Sequence, residues 1–148
     1  MDRAYKAATF FVEGYNCAQA VIMAFSDVIG MDEKTCAKIS SSFGGGMGRM
    51  REVCGAVSGM LMVAGVLYGY DTKDDDVVKK AHYARVQELA AKFREENGSI
   101  ICREILKNPP SDPTPSPRTE QYYKDRPCVH MVTTAVRIME EYIAQHPL

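Results

Sequence analysis

The chain has 148 residues, enough to bury a core of its own and short enough for one domain over 1–148. Its 18 Lys and Arg stand against 19 Asp and Glu, a formal net charge of −1, so there is no basic excess to call for nucleic acid or an acidic membrane. The amino terminus, MDRAYKAATFFVEG, has an acidic second residue and no apolar run long enough for a secretory signal, so the expected address is cytoplasmic.

Asp2 to Glu13 reads as a first helix with Ala4, Ala7, Ala8 and Phe11 inward and Gly14 as its stop. Asn16 can cap a second helix through about Ile29, with Cys17 at its first position and Ala20, Val21, Ala24 and Phe25 at core spacing. Asp32 can cap a short third helix through Ser41 that holds Cys36. A glycine-rich loop then runs into an uncharged stretch, Val53 to Tyr70, whose glycines at 55, 59, 65 and 69 leave grooves for close helix packing. That stretch meets the lower length limit for a membrane span, but its glycines and symmetric flanks favour a helix buried on nearly all sides of a bundle. The same grooves could instead pack against a second subunit as a helical homodimer.

The acidic turn DTKDDD leads into a long helix, about Asp75 to Glu96, with Val78, Ala81, Val86, Leu89, Ala90 and Phe93 as its apolar stripe. Asn97-Gly98 closes it, and Ser99 can cap a short helix from Ile100 to Lys107 with Cys102 as its third residue. Five prolines between Pro109 and Pro117 make a stiff surface loop over about 108–126, from which Tyr122 and Tyr123 could close over a site. Pro127 opens a final helix in which Cys128, Met131, Val132, Ala135, Val136, Met139, Tyr142 and Ile143 keep three-four spacing. The expected fold is all-α, six or seven helices around the helix from 53 to 70.

Five cysteines without a secretory signal do not read as a disulfide framework. Cys17, Cys54, Cys102 and Cys128 each fall in the first turn of a predicted helix, where unpaired N–H groups and the helix dipole favour a thiolate. Cys36 falls mid-helix and reads as core. The segment GGGMGRMREVCGAVSG, with Cys54-Gly55-Ala56-Val57-Ser58-Gly59, resembles the CGAxxG signature of the C_GCAxxG_C_C family of redox-active proteins. The resemblance spans nearly the whole chain, taking in Cys17 within GYNCAQAV and Cys102 and Cys128 as the two later cysteines. It implies thiol chemistry without naming a substrate, and a functional link to a transporter.

The leading expectation is therefore a thiol-redox protein in which two of these four cysteines cycle between dithiol and disulfide or pass electrons, whether or not with turnover. Cys54 is the expected nucleophile, with Arg49 and Arg51 adding positive potential, and its partner is open among the other three. Its redox partner or small-molecule substrate is unspecified. The alternative gathers Cys17, Cys54, Cys102 and Cys128 around zinc or an iron–sulfur cluster, although no C-x-x-C spacing supports it. A third class is a binding or assembly module without turnover, in which Gly45, Gly46, Gly48, Arg49 and Arg51 cradle an anion ahead of the central helix.

Overall fold

The computed structural model describes residues 2–148. Among these the fold is all-α, with nine right-handed helices and no strand beyond one isolated antiparallel bridge, Val53 to Ile101. We number them α1 (Arg3–Glu13), α2 (Cys17–Ala24), α3 (Ser26–Ile29), α4 (Glu33–Ser40), α5 (Gly55–Tyr68), α6 (Asp76–Asn97), α7 (Cys102–Ile105), α8 (Glu120–Asp125) and α9 (Cys128–Gln145).

Short polar caps fix four of the nine starts. Asn16 Oδ1 accepts from Gln19 N at 2.9 Å while the Gln19 side chain accepts from Asn16 N at 3.0 Å, a reciprocal cap at α2. Asp32 caps α4 and Asp75 caps α6 in the same single-sided way. The predicted helix through Ile29 breaks at Phe25. Arg3 Nη1 takes the Ala24 carbonyl at 2.6 Å, a carbonyl that a continuous helix would have used for its own ladder.

Two helices share the centre. α2 packs against α1, α4, α5 and α9, and α5 against α2, α6 and α9. Gly59 makes the α2–α5 crossing possible, because a Cβ there would stand 2.7 Å from the Ala18 carbonyl oxygen. That groove is thus filled within the chain. The expectation that the 53–70 helix is buried all round holds for its first half; further along, Val66 is 48% exposed. The long helix departs more, since only Leu89 and Phe93 of its predicted stripe are buried. The proline-rich segment contains a helix the sequence did not suggest, α8, capped by Thr119 through Tyr122 N. No helix is long and apolar enough to cross a membrane among the described residues.

Candidate functional site

The glycine-rich segment forms one turn with helix-like backbone bonding but left-handed dihedrals. Gly45, Gly46, Met47, Gly48 and Arg49 have φ of 65°, 73°, 69°, 58° and 68° in succession, and Arg51 follows at 63°. Each non-glycine residue in that region costs on the order of 1–2 kcal/mol, so Met47, Arg49 and Arg51 store strain here. The turn is held by Arg51 N to the Gly45 carbonyl at 3.1 Å and Glu52 N to the Gly46 carbonyl at 2.9 Å. At Gly46 no side chain fits, because a Cβ would lie 2.6 Å from Glu52 N.

Leaving the turn, the chain pairs with the start of α7. Cys54 N donates to the Ile100 carbonyl at 2.7 Å and Cys102 N to the Glu52 carbonyl at 2.6 Å, which puts Cys54 and Cys102 on one face of the pairing. Gly55 brings α5 against the start of α2, where a Cβ would meet the Phe43 carbonyl oxygen at 2.9 Å and Cys17 Cβ at 3.2 Å. Cys17, Cys102 and Cys128 are each the first residue of a helix, and Cys54 is the N-cap of α5. All four line one cavity of about 410 Å³. Cys36 lies outside it, buried, its Sγ 3.6 Å from the Met31 carbonyl.

The shared placement does not give the four thiols shared acidity. Burial pushes Cys54 up to about 12, although backbone N–H groups of Ala56 and Val57 act the other way. Burial likewise raises Cys102, against a hydrogen bond from Arg51 Nη1 at 3.7 Å. The Cys17 and Cys128 thiols act on each other's ionisation, and the pair divides unequally. Cys128 is lowered, first by its interaction with the Cys17 thiol and then by the charges of Arg126, Arg118 and Arg51, which together outweigh its burial. Cys17 is raised well above the ordinary thiol value, first by that same interaction and then by burial. Desolvation thus outweighs the helix N-terminus at Cys54 and Cys102 and adds to the rise at Cys17, contrary to the sequence expectation.

Four arginines line the cavity: Arg49, Arg51, Arg118 and Arg126. Among the described residues none of the four forms an ion pair with a carboxylate. Arg49 donates to the Asp112 carbonyl (2.8 Å) and Ser116 Oγ (3.0 Å), and Arg51 Nε to the Pro110 carbonyl (2.9 Å), so the proline segment is strapped over the left-handed turn. Arg118 holds the carbonyls of Phe11 and Tyr15, and Arg118 and Arg126 both pack on the Tyr122 ring, at 5.1 and 4.8 Å from its centroid. Among the described residues no group of three or more His, Cys, Asp or Glu is set to hold a metal ion.

A family model described as "Putative redox-active protein (C_GCAxxG_C_C)" matches residues 15–142. The chain belongs to the C_GCAxxG_C_C family. The match includes the four cavity cysteines and leaves all of α1 outside it. No curated protein and no solved structure matches the chain.

For this C_GCAxxG_C_C protein the cavity lining holds Cys17, Cys54, Cys102, Cys128, Gly45, Gly46, Gly48, Arg49 and Arg51, and of the two tyrosines expected to close over a site it holds Tyr122 and not Tyr123. Arg51 reaches Cys102, not Cys54 as expected. Sequence reasoning missed Arg118 and Arg126. They flank α8 in the proline-rich segment, where a charge has no periodicity to distinguish it from a solvated one.

Proposed function

We propose that this protein carries out thiol–disulfide exchange through Cys128 and Cys17, with Cys128 in place of Cys54 as the nucleophile. The observation that supports this reading is the interacting pair of Cys17 and Cys128 thiols on the wall of a cavity that no carboxylate among the described residues lines. The Cys128 thiolate attacks one sulfur of a substrate disulfide, forming a mixed disulfide and releasing the first substrate thiolate, which takes the proton of Cys17. The Cys17 thiolate then attacks Cys128 Sγ and releases the second thiolate, which takes up a proton from solvent. Two cysteine thiols are oxidised to one disulfide, and one substrate disulfide is reduced to two thiols. Cys54, buried and 6% exposed, stays protonated throughout.

The test is to oxidise the fully reduced protein with one equivalent of a small disulfide and map the product by peptide mass spectrometry under acid quench. A Cys17–Cys128 linkage is expected. A Cys54–Cys102 linkage, or no internal linkage, would overturn the assignment.

A further inference from the structure

The cavity's positive charge exceeds what one thiolate needs. Arg51 is 3% exposed and its Nη2 has no hydrogen-bond partner; it is the one buried side-chain nitrogen or oxygen in that condition among the described residues. A buried guanidinium with an unused edge is costly, and structures normally satisfy such groups. Arg126 uses Nη2 on Ser116 Oγ at 3.3 Å, and Arg118 is spent on carbonyls and ring faces, but no carboxylate offsets either charge. Asp112 turns its carboxylate to Thr114 N at 3.2 Å instead of to Arg49.

Much of the rest of the wall is apolar, although Asn16, Ser41 and Ser116 also line it. Phe11, Leu106, Met131 and the Tyr122 ring line the same space. A strongly hydrated inorganic anion would gain nothing from that wall, whereas a small organic molecule with carboxylates would use both surfaces: guanidinium forks match carboxylate geometry, and the chain between carboxylates buries against the side chains. The cavity, at about 410 Å³, falls in the lower part of the range for small-molecule sites, roughly 300–1,000 Å³.

From this arrangement we infer that the cavity binds a small organic disulfide bearing carboxylates, with Arg51 Nη2 as a carboxylate donor and the disulfide facing the Cys17–Cys128 pair. The chemistry of that substrate rests on the exchange reaction proposed above; its binding does not. The atoms and electrons balance as written there, with the carboxylates unchanged.

Two experiments separate the inference from the reading it rests on. Stopped-flow oxidation of the reduced protein is compared for 3,3′-dithiodipropionate, neutral bis(2-hydroxyethyl) disulfide and cationic cystamine. The dianion should react about tenfold or more faster than the neutral compound at low ionic strength, with cystamine slowest, and the advantage should shrink as salt is added. Calorimetry then uses suberate, the same dicarboxylate chain with methylenes for sulfurs, on wild type, Arg51→Met and Arg126→Gln. Suberate should bind wild type, and each variant should lose about tenfold or more in affinity. Arg126→Gln keeps the test open should Arg51→Met fail to fold, since the Arg51 side chain also holds the Pro110 carbonyl. Suberate binding without any Cys17–Cys128 disulfide would uphold the carboxylate site and remove the exchange reaction. Disulfide formation with no charge preference and no suberate binding would overturn the inference and leave the exchange reaction in place. Binding of inorganic sulfate but not suberate would also overturn it, because the apolar wall would then contribute nothing.

Discussion

A thiol at a helix N-terminus is favoured as a thiolate by the helix and disfavoured by burial, and in this molecule burial is the first cause at Cys54 and Cys102 and the second at Cys17. The exception, Cys128, has three arginine charges and the neighbouring Cys17 thiol to lower it. Iodoacetamide titrated across pH should therefore modify Cys128 first, with its inflection below the ordinary thiol value of about 8.5, followed by mass spectrometry of the labelled peptides. In Cys17→Ala that inflection should move upward, because the first of the lowering causes is gone; an unmoved inflection would assign the acidity to the arginines alone. Cys54 makes the opposite prediction. Its folded value of about 12 lies above the unfolded one, so the unfolded chain ionises first as pH rises and the stability of the folded state falls above about pH 9. One such group accounts for about 1.4 kcal/mol per pH unit up to its folded value. Urea unfolding at pH 8 and pH 10 should show a steeper loss in wild type than in Cys54→Ala, whatever the absolute stability of the variant.

Among the elements, the left-handed turn and the α2–α5 crossing place the thiols, and both rest on glycines that tolerate no Cβ. Gly46→Ala would press a methyl against the Arg51 and Glu52 backbone at a φ of 73°, and Gly59→Ala would press one against the Ala18 carbonyl. Each should lower stability by about 1–3 kcal/mol or more in thermal unfolding. They should differ in the redox assay, because Gly46→Ala displaces Arg49 and Arg51 whereas Gly59→Ala spreads two helices. The turn shows where the sequence was readable and where it was not. Some helix starts were legible because Asn16, Asp32 and Pro127 are local start signals, so Cys17 and Cys128 could be placed at helix ends without any tertiary knowledge. That three glycines, Met47 and two arginines would wind left-handed was not legible, since a glycine run permits many turns and selects none. The unequal acidity of the thiols depends on Arg118 and Arg126, which arrive from more than fifty residues beyond Cys54 through a segment with no periodic pattern.

At the scale of the whole molecule, burial is unevenly spread, and α6 marks its edge. One apolar cluster runs from Ala4 to Tyr142, but the first thirteen residues of α6, 76–88, contribute no buried side chain to it. That half is tied down by a few polar contacts: Tyr70 and Tyr83 hydroxyls at 2.8 Å, Arg85 Nε to Tyr142 Oη at 2.8 Å, and the Arg85 guanidinium 4.9 Å from the Tyr68 ring centroid. A helix of that length is marginal alone in water, so its backbone should open locally without global unfolding. Hydrogen exchange should accordingly run about two orders of magnitude faster over 77–84 than over the buried stretch of α2, 20–24. Arg85→Ala should accelerate the first region further and leave the second unchanged; equal protection of the two regions would contradict this account. The dependence on protein concentration adds a second reading to the same data. Val77, Val78 and Tyr83 are exposed on this half. Protection that rose with concentration would show a second copy covering them, a dimer formed through α6 instead of through the glycine grooves of α5, which α2 already fills at Gly59.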